Sequence, residues 1–133
     1  MEKLISEPVL IVSIVVWNRE KILLIKRATE PFRGTWCFIA GHAEKNESLL
    51  AAAQRETEEE AGLQINILNI IDDYPLSLEG IRHTIVVFKA EAITTELKLK
   101  RDEVMEAKWI EPKEALQLSD LGPLTKKILQ KII

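Results

Sequence analysis

Six consecutive residues, Arg55-Glu56-Thr57-Glu58-Glu59-Glu60, bring four carboxylates and one guanidinium together. Such a run is ordinarily the solvated face of a helix. Residues 48–61 hold no Gly or Pro and include alanines at 51, 52 and 53, so a helix is expected there. Asn46 or Ser48 would cap its start, and Gly62 stands where it should stop. On a helix turning about 100° per residue, with Glu56 at zero, Glu60 falls near ~40° and Glu59 near ~300°. Leu49, Ala52 and Ala53 fall on that same side, while Glu58, Gln54 and Ala51 fall opposite. Three glutamates therefore share the apolar side, where they repel one another and lose hydration. Protons or a cation must compensate them. Hard divalent ions with oxygen ligands, above all Mg²⁺ or Mn²⁺, suit such a cluster. Arg55, at the edge of the charged face, can neutralise Glu56 or Glu47.

The flanking pattern supplies the scaffold. Residues 9–17 are rich in β-branched side chains and read as a strand buried on both faces. A turn at Asn18-Arg19-Glu20 leads to a second strand at 21–26. A loop at 30–35 contains Pro31 and Gly34, and a short strand at 36–40 ends at Gly41. Beyond the helix, strands are expected at 65–71 and 83–92, separated by an irregular segment around Tyr74-Pro75, and another at 105–110. Pro112 opens a short helix, and residues 123–132 close the chain with Leu124, Ile128 and Ile132 on one stripe. Interspersed strands and helices predict a layered α/β domain around a mixed sheet.

At 133 residues, with no repeat or linker, the chain reads as a single domain, 1–133. A net charge of -3 argues against general affinity for nucleic-acid backbones or anionic membranes. Cys37 is the only cysteine, so no intrachain disulfide can form, and its place in an apolar strand makes it a packing residue. Residues 1–8 lack the basic-then-apolar pattern of a secretory leader, and a cytoplasmic location follows by default. His42 and His83 have no partner at metal-ligand spacing.

Gly41, five residues, Glu47, seven residues, then Arg55 through Leu63 resembles the Nudix box, G-x5-E-x7-R-E-U-x-E-E-x-G-U, with U a bulky apolar residue. Only Thr57 departs, and its methyl can still pack inward. Leu23 through Ala28 and Gly34-Thr35-Trp36 are also similar to the family, so the resemblance covers most of residues 9–112. It implies an α/β/α sandwich and metal-dependent hydrolysis of a nucleoside diphosphate linked to a further group. By matching position, Glu56, Glu59 and Glu60 would bind metal, supported by Arg55 and Glu47, with Glu59 also helping to accept the proton of the attacking water. Where the family often has Pro-Gly-Gly before the box, this chain has Ile39-Ala40-Gly41, and Ala40 would lend a backbone carbonyl to the metal.

The family often adds an acidic residue outside the box; Glu103 is the choice here, with Asp102 and Glu106 as competitors. Arg27 and Arg33 are the candidates for substrate phosphates, since guanidinium matches phosphate oxygens in pairs. Tyr74 or Trp36 could stack on a base, Trp36 being better suited to the core. Candidate substrates are nucleoside triphosphates, oxidised ones included, ADP-ribose, nucleotide sugars and dinucleoside polyphosphates. Residues 77–81 lack the Pro or Tyr marker of ADP-ribose enzymes, and the NADH-type downstream motif is absent. A non-catalytic binding module of the same fold is disfavoured because every box glutamate is present. Isopentenyl-diphosphate isomerase, which shares the fold, would need more chain and a catalytic cysteine arrangement. A calcium-binding protein would need an EF-hand loop, and none is present. A nucleotide-type small molecule is thus the expected partner, and the resemblance leaves room for a homodimer.

Overall fold

The computed structural model describes residues 9–133. The expectation about a leader at 1–8 lies outside the described residues. In order along the chain come β1 (Val9–Asn18), β2 (Lys21–Arg27), β3 (Trp36–Cys37), β4 (Ile39–His42), α1 (Leu49–Ala61), β5 (Ile65–Leu78), β6 (Ile81–Ala92), β7 (Val104–Ile110), α2 (Pro112–Ala115) and α3 (Pro123–Ile132). All seven strands join one mixed sheet: β1 runs parallel to β6, and the other pairings are antiparallel.

The period of two in the strands decides what each helix covers. Val12, Ile14 and Val16 of β1, Leu23 and Ile25 of β2, and Val86, Phe88 and Ala90 of β6 face α1 and pack on Ala52, Ala53 and Ala61. Val15, Ile22, Leu24, Ile85 and Val87 face the other way, onto Ala115, Ile128 and Leu129 of the C-terminal helices. Covered on both faces, β1 buries five residues in succession, Val12 to Val16. Each of the four aliphatic side chains among them contributes about 1.5–3 kcal/mol on burial. The result is the predicted three-layer α/β/α arrangement.

Two expectations about strands need correction. The strand predicted at 36–40 is two short strands parted at Phe38: β3 pairs with β2, while β4 pairs with β1. The segment around Tyr74-Pro75, expected to be irregular, lies inside the continuous strand β5, paired with β6 down to Leu78↔Ile81. Register shifts between Ile67 and Asn69 and between Ile70 and Asp72 mark bulges that break the period of two. Pro75 is tolerated because β5 is an edge strand. The hairpin closes through Glu79 and Gly80, both at positive φ.

One feature of the sheet creates the site. Opposite its β6 edge, β1 meets β4 through Ile11–Ile14 register partners and β2 only at Trp17 and Asn18. Among the described residues, β2 and β4 share no ladder, so a crevice opens between them beneath α1. A register shift at Lys26/Arg27 re-aims the end of β2 at that crevice. None of the described helices is long and apolar enough to cross a membrane.

Candidate active site

The crevice is a cleft of about 410 Å³ lined chiefly by residues from four segments: Arg27 at the end of β2 with Thr29 just beyond it, Ala40 to His42 of β4, Arg55, Glu56 and Glu60 of α1, and Glu103 before β7. Helix α1 is held at both ends. Ser48, not Asn46, is the N-cap, its Oγ accepting from the Ala51 N–H at 3.1 Å. Gly62 takes the left-handed conformation and donates its N–H to the Glu58 carbonyl. A side chain there would collide with Lys98, so the helix stops at one defined residue. Thr57 is fully buried and returns its hydroxyl to the Ala53 carbonyl at 2.8 Å, which satisfies the one departure from the box.

The buried stripe of α1 is Ala52, Ala53, Thr57, Glu60 and Ala61. That stripe is centred near Ala53 and Thr57 rather than on Glu56, which corrects the expected helix orientation. Glu60 is turned inward, only 5 % exposed. Glu56 lies at the edge of the stripe, its side chain 12 % exposed, and Glu58 faces solvent as expected. Glu59 does not share the inward face; its side chain is 47 % exposed and lies outside the cleft lining.

The Glu56 carboxylate occupies the space where a side chain at position 41 would begin. The box glycine is thus a steric requirement: β4 and α1 approach so closely that only a hydrogen fits. Glu60 sits beside this group, and burial pushes its carboxyl up to about 9; the hydrogen bond and repulsion from Glu56 and the repulsion from Glu103 add to the rise, and Arg27 opposes it. Two carboxyls therefore converge under the cleft, and burial disfavours the charged form of Glu60.

Arg55 braces the surrounding loop. Its Nε and Nη2 donate to both oxygens of Glu47 at 2.8 and 3.0 Å, Nη1 donates to Glu56 at 2.9 Å and Glu59 at 3.3 Å, and Nη2 reaches the His42 carbonyl at 3.0 Å. This fork, together with the Glu44 N–H, holds the Glu47 carboxyl down at about 2. Glu47 in turn raises the Arg55 guanidinium above its ordinary range.

The remaining sequence candidates divide cleanly. Glu103 lines the cleft and Asp102 and Glu106 do not; the Glu103 carboxylate is paired with Lys100 at 3.1 Å, and its carbonyl accepts from the Ala28 N–H. Glu106 is drawn to Lys26 instead. Arg27 lines the cleft, with Nε on the Pro31 carbonyl at 2.8 Å, whereas Arg33 is exposed and outside it. Trp36 is buried in the layer that holds α3, with the Lys108 ammonium 4.5 Å from its ring, and Tyr74 lies in the same layer. Neither faces the cleft. Burial lifts the Cys37 thiol to about 11, which suits a packing role. Thr29, His42 and Glu44 also line the cleft; of these, Glu44 had a sequence signal, since it stands three residues before Glu47 in the loop that the box glycine opens.

Among the described residues, no three His, Cys, Asp or Glu side chains stand ready together as metal ligands. The donor chemistry nevertheless fits a hard cation. Glu56 and Glu60 converge, the Gly41 cradle fixes one of them, and their crowding, which disfavours the charged form of Glu60, is what a cation would relieve. Glu103 and Glu59 point to other partners, Lys100 and Arg55.

A mixed sheet between helices, with a carboxyl pair under a cleft at a split in the sheet, is the architecture of an acidic, oxygen-donor site. The NUDIX domain model matches residues 7–132, and the chain belongs to that family. It is 35% identical over 117 residues to a Danio rerio protein named 8-oxo-dGDP phosphatase NUDT18, a match covering 81% of this chain and 34% of the relative. It is 31% identical over 127 residues to the NAD-capped RNA hydrolase NudC of Haemophilus influenzae, covering 92% of this chain and 47% of the relative. The chain thus spans between a third and a half of these curated relatives. Among solved structures, a NUDIX hydrolase from Nitrosomonas europaea superposes with a TM-score of 0.81 at 27% identity, over 96% of this chain and 73% of that one. A MutT NUDIX hydrolase from Burkholderia pseudomallei does so with a TM-score of 0.85 at 22% identity, over 96% and 100%.

Proposed function

We propose that this chain is a divalent-cation-dependent hydrolase that cleaves the phosphoanhydride bond of a nucleoside diphosphate linked to a further group. The observation that carries the reading is the Glu56–Glu60 carboxyl pair, seated against Gly41 with Arg27 beside it. Mg²⁺ or Mn²⁺ suits these donors. Glu56 and Glu60 would hold it, with the Ala40 carbonyl, while Glu59 and Glu103 would join by turning from Arg55 and Lys100. When bound, such an ion withdraws charge from the phosphate oxygens and lowers the pKa of coordinated water.

The protein groups have separable tasks. Arg55 keeps the Glu47 loop and Glu56 in register. Arg27 presents a guanidinium to phosphate oxygens at the cleft wall. Glu103, or Glu59 beside the cleft, accepts the proton of the attacking water. The relatives are named for 8-oxo-dGDP and for NAD-capped RNA; a nucleoside diphosphate unit is common to both, and we take that unit as the substrate class here. In this reading residues 1–133 act as one cytoplasmic domain, as monomer or homodimer, on a small nucleotide, with no membrane and no strong nucleic-acid partner.

The test is a panel of nucleotides assayed for phosphate and nucleoside monophosphate release. Chelation with EDTA should abolish turnover, and millimolar Mg²⁺ or Mn²⁺ should restore it. Undiminished turnover in metal-free buffer would overturn the reading.

A further inference from the structure

The chain between β6 and β7 crosses the C-terminal end of α1 before it reaches the cleft. Leu97 and Leu99 pack on the core that faces α1, while Lys98 and Lys100 alternate with them and stay exposed. The Lys98 N–H donates to the Ala61 carbonyl at 2.8 Å, and the Lys100 N–H donates to the Glu60 carbonyl at 3.1 Å. Both carbonyls belong to the last turn of the helix, where no intrahelical donor remains to meet them.

Lys100 ties this strap to Glu103. Its carbonyl accepts the N–H groups of Glu103 at 2.9 Å and Val104 at 2.8 Å, which closes the turn into β7. Its ammonium donates to the Glu103 carboxylate at 3.1 Å and, among the described residues, makes no other hydrogen bond. The Glu103 carbonyl is held in turn by the Ala28 N–H at 2.9 Å. With both backbones pinned, the Glu103 carboxylate can change partner only by rotating its side chain. Glu103 lines the cleft and Lys100 does not, so the ammonium draws this carboxylate from outside the cleft. Arg55, which holds Glu59, is different: it is also bound to both oxygens of Glu47 and to Glu56, and stays matched if Glu59 leaves.

We infer that Lys100 is a positioning residue that acts through Glu103: its ammonium competes with the divalent cation for that carboxylate and so sets the cation concentration the site requires. The inference rests on the metal reading above and adds to it the group that regulates loading. Both side chains of the pair are 42% exposed, and pairs so exposed shift an equilibrium by no more than about fivefold. A cation therefore has little to overcome in recruiting Glu103, whereas a buried pair would withhold the carboxylate altogether.

The experiment titrates Mn²⁺ into the metal-free protein without substrate, reading free Mn²⁺ by electron paramagnetic resonance. Wild type is compared with Lys100→Met, Lys100→Arg, Glu103→Gln and the double variant Lys100→Met/Glu103→Gln. Physiological salt is used, because it largely screens the bare field of an exposed ammonium. Lys100→Met should lower the Kd roughly two- to fivefold. Lys100→Arg, which can still pair with the carboxylate, should keep the wild-type Kd. In the Glu103→Gln background the effect of Lys100→Met should vanish, since no carboxylate is left to compete for. An equal drop in both backgrounds would reveal a field effect alone and overturn the assignment, as would an unchanged Kd in Lys100→Met. If neither wild type nor Lys100→Met binds Mn²⁺, the metal reading fails and this inference with it, whereas binding with an unaltered Kd strikes the inference alone.

Discussion

Replacing Gly41 by alanine tests the site with a single methyl group. A Cβ at position 41 would lie on the Glu56 carboxylate, well inside any real contact with all three of its terminal atoms. The β4 backbone is fixed by its ladder with β1, Val12↔Gly41 included, so the side chain has to yield. Glu56 would retreat by about 1 Å, a displacement that elsewhere costs on the order of a hundredfold in rate when it moves a reacting group out of position. That retreat also lengthens the 2.9 Å bond from Arg55 Nη1. Overpacking a core usually costs about 1–3 kcal/mol, and because a carboxylate tip can swing aside, the lower figure applies. The Tm should therefore fall by only about 3–5 °C. The assay is kcat and KM with saturating Mg²⁺ on the best nucleotide of the panel, beside a calorimetric scan. Turnover should drop roughly a hundredfold in a protein that is still folded. Wild-type kcat in Gly41→Ala would refute the argument that the glycine exists to seat Glu56, and unfolding at room temperature would refute the claim that Glu56 absorbs the strain.

Glu60→Gln should lose turnover by several orders of magnitude, whereas Glu58→Gln, on the solvent face, should stay within a factor of two or so of wild type, as far as surface substitutions usually reach; equal losses would reverse the observed helix orientation. Glu47→Gln isolates the Arg55 brace through its pH dependence. Because the folded carboxyl is held at about 2, below its ordinary 4.5, its contribution is fully present above pH 4.5 and fades as pH falls toward 2. The urea midpoint of wild type should then exceed that of Glu47→Gln by a constant margin at neutral pH, with the margin shrinking in acid, and a margin that grew on acidification would contradict this account.

The helix and its caps were legible because their causes are local: Ser48 and Gly62 act on the backbone within a few residues. The cleft's acidic floor was legible for the same reason, since residue spacing on a helix is geometry. What misled was the choice of Glu56 as the centre of the inward face. Ala53, Thr57 and Ala61, small residues four apart, mark the true centre, and that signal was in the sequence. By contrast, the length of β5 was hidden by two bulges, which abolish the alternation that announces a strand, and by Pro75, which only an edge position permits. Choosing between Arg27 and Arg33 needed the bulge at the end of β2, and the seat of Glu103, already the choice by resemblance, rests on the backbone bond to Ala28. Those are tertiary facts with no local signature.

The balance of charge in the cleft explains why a cation belongs in the proposal and is no mere addition to it. Four lining carboxyls, on Glu44, Glu56, Glu60 and Glu103, face the two guanidinium groups of Arg27 and Arg55. Arg55 is already engaged by Glu47, Glu56 and Glu59, all within 3.3 Å, so its charge is spent inside the protein. Arg27 alone is left to meet a ligand among these lining groups, and it also faces the Glu60 carboxyl. A diphosphate carries several negative charges into this place, and one guanidinium does not offset both them and the carboxyls. Burial and the neighbouring carboxylates disfavour the charged form of Glu60, which eases the conflict at rest. A divalent cation held by Glu56 and Glu60 would favour the charged carboxylate, with any proton on Glu60 passing to solvent, and would make the floor attractive to phosphate. In this reading affinity and turnover depend on the metal together, because the burial of Glu60 makes a single group responsible for both.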